Sequence, residues 1–127
     1  MDAWWMQVAS VAVGGSFGAV SRLLVGRLLA GGMFPWATVI INLAGCFALG
    51  LLLGVTHEGV PSHRALRVAL GTGFLGAFTT FSTFSVEAVA MAEKERWLAA
   101  ALYVGGQVVV GLALAAAGII AGRALRG

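Results

Sequence analysis

Charged residues are scarce in this 127-residue sequence. Eight Lys and Arg and five Asp and Glu make up only 10% of the chain, whereas 60% of it is hydrophobic. Soluble domains average about 25% charged residues. Because so few charges cannot coat a fold of this size, the composition argues against a soluble enzyme, a soluble nucleic-acid-binding domain and a disordered protein. It predicts an integral membrane protein.

Cysteine and histidine are also nearly absent. Cys46, the single cysteine, lies in an apolar run, which excludes a disulfide framework or a cysteine metal site within one chain. His57 and His63 flank a polar link and have no partnered nucleophile, so we expect interfacial positions for both and no enzymatic activity. The net charge of +3 comes from basic residues scattered at segment ends. Since no basic face forms, we expect these side chains to reach lipid headgroups and predict no nucleic-acid partner.

Long apolar runs dominate the chain and predict an all-α membrane protein, with four transmembrane helices in a single domain over residues 1–127. A transmembrane helix needs about 20 residues. The predicted spans are Trp4 to about Leu29, about Trp36 to Val55, about Arg64 to Ala92, and Trp97 to about Gly122. Four helices are few for one chain to enclose a conduction path. We therefore expect a homo-oligomer with its site at the shared seam.

Small residues recur at four-residue spacing within three of these runs, as the pairs Gly14 and Gly18, Gly50 and Gly54, and Gly118 and Gly122. Such faces let membrane helices approach closely. They predict a compact bundle and indicate no chemistry.

Basic residues are divided almost evenly between the two sides of the predicted bundle. The side with both termini has Arg64, Arg67, Arg123 and Arg126; the opposite side has Arg27, Lys94 and Arg96, with Arg22 if its side chain reaches out. The positive-inside bias is thus close to nil. A chain without such a bias can insert both ways round, which permits an antiparallel, dual-topology homodimer.

The third span contains the densest polar cluster. Gly71, Gly73 and Gly76 precede the β-branched and aromatic residues 78–81, which are poor helix formers. We expect the helix to break near Gly76 to Thr80. Non-helical backbone at membrane depth is tolerated only when it is buried in protein or faces a cavity. Its freed carbonyl groups would be natural ligands for a cation.

Aromatic and hydroxyl groups follow this predicted break. Phe81 and Phe84 share one helical face, and the positive edges of their rings could contact a desolvated anion. Hydroxyl groups that could replace the water of that anion belong to Ser82, Thr83 and Ser85. Ring packing and hydroxyl bonds to carbonyls one turn back are the alternatives. The break and the intramembrane carboxylate of Glu87 together favour an ion pathway.

Two other spans each provide a polar face. Thr38 and Asn42 lie one turn apart on the second span, and Tyr103 and Gln107 lie one turn apart on the fourth. Asn42 is either a hydrogen-bonding contact between helices or an amide donor at a pore entrance. Three polar faces are what a shared conduit requires.

Several segments resemble the Fluc/CrcB fluoride channel family over essentially the whole chain. The resemblance rests on Gly14-Gly15-Ser16-Phe17-Gly18-Ala19-Val20-Ser21-Arg22, Thr38-Val39-Ile40-Ile41-Asn42-Leu43-Ala44-Gly45 and, most specifically, Gly76-Ala77-Phe78-Thr79-Thr80-Phe81-Ser82-Thr83-Phe84-Ser85. It implies an antiparallel homodimer in the inner or plasma membrane that exports cytoplasmic fluoride passively through two pores. It also implies a structural sodium ion at the dimer centre, held by the main-chain carbonyls of Gly76 and Thr79 from both copies.

The resemblance implies a set of pore residues as well. These are the phenylalanine box at Phe81 and Phe84, the pore asparagine at Asn42, a polar track at Ser82, Thr83 and Glu87, further pore-side residues at Thr38 and Tyr103, and a vestibule arginine at Arg22. Two positions depart from the family pattern. Ala77 stands where a second glycine is usual, and Gln107 stands where a small hydroxyl residue is common. A longer amide at 107 would narrow the pore or replace a water.

The main alternative is a small dual-topology multidrug exporter or proton-coupled transporter, which would also be a four-span dimer. Such exporters have a membrane-embedded glutamate on the first helix, whereas this chain has no acidic residue between Asp2 and Glu58. Glu87, set among hydroxyl residues, is the only carboxylate expected within the membrane. A scaffold or assembly factor is a third class, and it would not need polar faces on three spans.

Overall fold

The structure, a computed structural model, describes residues 4–127, and the regular secondary structure in that range is all helical. Its long helices are α1 (Trp4–Leu28), α2 (Trp36–Val55) and α6 (Trp97–Arg126), and a third helical stretch covers Pro61–Glu93. All four are long and apolar enough to cross a membrane. The sequence prediction of four membrane helices is therefore confirmed, with ends within four residues of those expected.

The third stretch consists of several pieces rather than one regular helix. α3 (Pro61–Leu66) leads into a π-helical segment (Arg67–Leu75), which is followed by α4 (Gly76–Phe78) and then by α5 (Phe81–Glu93). Between α4 and α5 the backbone is extended, with φ −79° and ψ 161° at Thr79 and φ −150° and ψ 116° at Thr80. Thr79 and Thr80 thus separate two helical pieces, and we call this pair the interruption.

Glycines set the distances between helices. The α2 and α6 backbones approach so closely that a Cβ at Gly50 would collide with the Ala115 carbonyl, and one at Gly118 with the Phe47 carbonyl. The same holds where α1 meets the π-helical segment, because a Cβ at Gly18 would collide with the Phe74 carbonyl. The glycine pairs predicted from the sequence therefore lie at close contacts between helices.

Substitution at one of these contacts is expected to destabilise the fold. Gly118→Ala should lower the free energy of unfolding in detergent by about 1–3 kcal/mol, since the added methyl group overpacks a backbone contact. Gly106→Ala is the matched control on the same helix, because no atom from another helix lies within 4 Å of the Cβ it would add. Thermal unfolding of both variants checks this, and equal unfolding midpoints would contradict the packing account.

Apolar side chains are exposed along all the long helices. On α1, Trp4, Val13 and Phe17 are among them, and on α6 Leu102 and Leu112 are similarly exposed. A contiguous apolar surface of this kind is typical of a protein that lies in lipid or against another copy. The site described next lies where α2, α5 and α6 meet.

Candidate functional site

Asn42 on α2 binds the backbone of the interruption with both ends of its amide. Its Oδ1 accepts from the Thr80 N–H at 2.9 Å, and its Nδ2 donates to the Thr80 carbonyl at 3.2 Å. The same Nδ2 also donates to Gln107 Oε1 on α6 at 3.0 Å. Backbone that has left the helix needs such partners in an apolar setting. Asn42 therefore links α2, the interruption and α6.

Thr80 and Thr79 stabilise the helix ends on either side of the interruption. The Thr80 hydroxyl accepts from the Thr83 N–H at 3.2 Å and so caps the start of α5, while the two hydroxyl oxygens lie 3.0 Å apart. The Thr79 hydroxyl donates to the Leu75 carbonyl at 2.9 Å. Arg22 Nη1 on α1 donates to the Thr79 carbonyl at 3.3 Å. A positive charge at the carboxyl end of a helix is electrostatically favourable.

Glu87 on α5 accepts hydrogen bonds from the two neighbouring helices. Thr38 Oγ1 donates to its Oε1 at 3.1 Å, and Tyr103 OH donates to its Oε2 at 2.5 Å. Thr38 is 5% exposed and Tyr103 only 1% exposed. Both carboxylate oxygens are therefore held by hydroxyl groups within the chain.

Aromatic rings extend from this carboxylate toward the interruption. The Phe84 and Tyr103 ring centroids lie 5.3 Å apart, and those of Phe81 and Phe84 lie 5.7 Å apart. Both pairs are tilted, with interplanar angles of 31° and 42°. Phe84 is partly buried, whereas Phe81 is 80% exposed at the surface of the chain. The two phenylalanines predicted to act together are in contact with each other.

Two cavities lie on either side of this cluster. A groove of about 340 Å³ is lined by residues that include Asn42, Thr80, Phe81, Phe84 and Gln107, and we call it the amide groove. A second cavity of about 300 Å³ is lined by residues that include Thr38, Glu87, Lys94 and Arg96, and we call it the carboxylate cavity. Thr38 and Asn42 are one turn apart on α2, and Phe84 and Glu87 are one turn apart on α5. Residues that line the two cavities thus lie one turn apart on both α2 and α5.

The remaining predicted residues are divided between the amide groove and the surface of the chain. Gly76 and Thr79 line it, whereas the side chains of Ser82 and Thr83 are exposed. Gln107 is 9% exposed, and its Nε2 is buried without a hydrogen-bond partner in the described part of the chain. The fold therefore brings Asn42, Phe84 and Gln107 together, and it gathers Thr38, Glu87 and Tyr103 one turn away.

Sequence reasoning missed the role of Thr80. This residue is 8% exposed, caps α5 and binds Asn42 through its backbone. A threonine three residues before Thr83, directly after a glycine-rich stretch, is the signal that could have identified the cap. The contact between Arg22 and the Thr79 carbonyl has no comparable signal, because it joins residues 57 positions apart.

Residues 9–119 match the family described as "CrcB-like protein, Camphor Resistance (CrcB)". The chain belongs to this CrcB-like family. A curated relative from Nitratidesulfovibrio vulgaris is 43% identical over 120 residues, which is 92% of this chain and 97% of the relative. One from Agrobacterium fabrum is 41% identical over 123 residues, covering 94% of this chain and 98% of the relative. Both are named "Fluoride-specific ion channel FluC".

A further CrcB-like relative, from Staphylococcus aureus, is 40% identical over 120 residues, covering 94% of this chain and 99% of the relative, and is named "Fluoride-specific ion channel FluC 1". The resemblance recognised from the sequence motifs is thus confirmed. These names describe ion conduction rather than a chemical reaction, in agreement with the expectation of a protein that is not an enzyme.

Proposed function

We propose that the chain is a fluoride-selective channel that exports cytoplasmic fluoride passively across the inner or plasma membrane. The main structural support is the succession of polar groups on α2, α5 and α6 between the amide groove and the carboxylate cavity. A protein that only packed against lipid would not need this succession of polar groups, since polar groups within a membrane are costly. The names of the relatives support fluoride as the ion.

Conduction on this account replaces the water around fluoride with protein contacts. Hydroxyl groups of Ser82 and Thr83 would donate to the ion, and the ring edges of Phe81 and Phe84 would face it with their partial positive charge. None of these contacts binds as strongly as a fixed cation, so the ion can leave again. Arg22, at the interruption, would raise the local anion concentration.

The channel is proposed to be an antiparallel homodimer with two pores. Phe81 is 80% exposed and lines a groove that a single chain leaves uncovered. A second copy would cover this groove, and two-fold symmetry would generate two equivalent pathways. The nearly equal division of basic residues between the two sides supports opposite insertion of the copies. We further propose that the interruption lies at mid-membrane depth.

A sodium ion at the dimer centre is proposed as a structural element. The Thr80 N–H, which would close a helical turn on the Gly76 carbonyl, donates to Asn42 instead, so that carbonyl loses its helical partner. Neutral carbonyl oxygens from unwound backbone suit sodium. No cluster of three His, Cys, Asp or Glu exists among residues 4–127. The ligands would therefore be the carbonyls of Gly76 and Thr79 from both copies.

The alternative of a multidrug or proton-coupled transporter is not favoured. A proton carrier must release and rebind its proton during each cycle. Apart from Glu93, which ends the third helical stretch, Glu87 is the one acidic residue within the described membrane spans. Both its oxygens accept hydrogen bonds, from Thr38 and from Tyr103. In addition, α1 has no acidic residue, whereas such exporters have a membrane-embedded glutamate on their first helix.

Fluoride efflux from liposomes tests the proposed function. Purified protein is reconstituted into vesicles loaded with fluoride or chloride, and an ionophore clamps the membrane potential. We expect rapid fluoride efflux and little chloride efflux. Absence of fluoride efflux, or chloride leaving equally fast, would overturn the proposal. Protein-free vesicles are the control.

A further inference from the structure

Arg67 and Arg126 meet at the carboxyl end of α2. Arg67 Nε donates to Thr56 Oγ1 at 2.6 Å, and its Nη2 donates to the Thr56 carbonyl at 2.9 Å. Arg126 Nη1, from the last turn of α6, donates to the Gly54 carbonyl at 3.2 Å and contacts the same Thr56 carbonyl at 3.5 Å. Thr56 is only 2% exposed. The fold thus places two guanidinium groups on one buried backbone acceptor, and we call them the arginine pair.

The positive charge of the arginine pair is poorly compensated. Within residues 4–127 the pair makes one ion pair, from Arg67 Nη1 to Glu58 Oε1 at 3.6 Å, and the Glu58 side chain is 93% exposed. An ion pair so open to solvent contributes little. Arg64 and Arg123 each lie three residues before a member of the pair on the same helical stretch and add further positive charge. An anion that contacts both guanidinium groups is therefore electrostatically favoured.

The arginine pair also keeps hydrogen-bond donors for such an anion. In the described part of the chain, Arg126 contacts acceptors only through Nη1, so its Nε and Nη2 groups remain available. A guanidinium group has its N–H donors in a planar fork that matches the oxygens of a phosphate group. The Arg67 side chain is 24% exposed and Arg126 is exposed, so a ligand can approach from outside the bundle. Donor geometry and access therefore both suit a phosphate group.

The depth of the arginine pair in the membrane indicates the source of that phosphate. α2 has 20 residues and is about 30 Å long, which equals the thickness of the hydrocarbon core. Thr56 directly follows α2, which places it at the boundary between hydrocarbon and lipid headgroups. Leu66 and Leu125 precede the two arginines in the chain and are 40% and 75% exposed. A lipid could therefore place its phosphate group on the arginines and its acyl chains along the neighbouring apolar surface.

We propose that the arginine pair binds the phosphate group of an anionic phospholipid. The basic residues form no basic face in the sequence, but the fold brings these two together. A zwitterionic lipid is a poorer ligand, because its own cationic group would be repelled by the arginines. A free phosphate ion offers the same oxygens but makes no use of the apolar surface. The inference goes beyond the proposed function, since the arginine pair lines neither the amide groove nor the carboxylate cavity.

Thermal unfolding in mixed micelles of detergent and lipid tests this site. We expect phosphatidylglycerol to raise the unfolding midpoint of the wild type by at least about 3 °C more than the same mole fraction of phosphatidylcholine. Arg126→Gln should remove at least about half of this lipid difference, because it removes one of the two charges. Arg67→Gln is the second variant and decides the question if Arg126→Gln does not fold. Arg27→Gln, at an exposed arginine in the last turn of α1, is the matched control and should keep the full difference.

The difference between the two lipids separates lipid binding from a purely structural role. If Arg126→Gln lowers the midpoint equally in both lipids, the proposal is overturned and the arginine pair only caps the carboxyl end of α2. Equal midpoints of the wild type in the two lipids would overturn it as well. Inorganic phosphate added to phosphatidylcholine micelles is the third arm. If it stabilises the wild type as much as phosphatidylglycerol does, the site takes a free ion and the lipid assignment is wrong. None of these measurements depends on fluoride conduction, so their failure would leave the proposed function untouched.

Discussion

Phe81→Ile and Phe84→Ile are each expected to reduce the fluoride efflux rate of the reconstituted protein by about tenfold or more. Isoleucine keeps an apolar side chain but has no ring edge with partial positive charge. The dehydrated ion would then lose an electrostatic contact that nothing else at that position replaces. Phe81 is the cleaner of the two positions, because its side chain is 80% exposed in the chain and contributes little to internal packing.

Fluoride efflux from liposomes at matched protein density measures this effect. Phe17→Ile is the control, since Phe17 is 66% exposed on α1 and lies outside both cavities. We expect it to conduct like the wild type. If Phe81→Ile and Phe84→Ile also conduct at the wild-type rate while remaining assembled, the rings are packing elements and do not line the pathway.

Asn42→Leu is expected to produce the largest loss of stability. The substitution leaves the Thr80 N–H and carbonyl, together with Gln107 Oε1, without their present partner. Because each buried polar group left unpaired costs about 1–3 kcal/mol, we expect the free energy of unfolding to fall by at least about 2 kcal/mol. The interruption should also lose its extended conformation at Thr80.

Thermal unfolding in detergent measures this loss. Asn42→Asp should be intermediate, because it retains the acceptor for the Thr80 N–H. Ile40→Leu, two residues earlier on α2 at a position 45% exposed, should unfold like the wild type. An unfolding midpoint for Asn42→Leu equal to that of the control would show that the Asn42 contacts with Thr80 do not hold the interruption in place.

The four helices could be predicted because they depend on properties that each residue has by itself. Apolar runs of sufficient length, ended by glycine, proline or charge, defined spans that the structure reproduces to within four residues. The second span, Trp36–Val55, has the predicted ends. Glycine spacing also indicated close packing, and a Cβ at Gly50 or Gly118 would indeed collide with the facing backbone.

The contacts within the site could not be predicted in the same way, since they depend on which residues the fold brings together. The sequence leaves Asn42 either as a contact between helices or as a pore donor, and only the structure reveals that it binds the Thr80 backbone. The π-helical segment Arg67–Leu75 was not anticipated either. The glycines of this segment predict a break in the helix. The structure gives Gly73 another role as well, because α1 packs directly against the segment at this residue.

Current recorded across a planar bilayer under a fluoride gradient tests the central claim most directly. For a passive channel selective for fluoride, a tenfold fluoride gradient at equal pH and equal chloride should give a reversal potential of about 59 mV in magnitude. Its sign should be that of the fluoride equilibrium potential. Exchange of one fluoride for one proton moves two charges, and its current would reverse at about half that potential. A reversal near zero, or no fluoride current at all, would contradict the account.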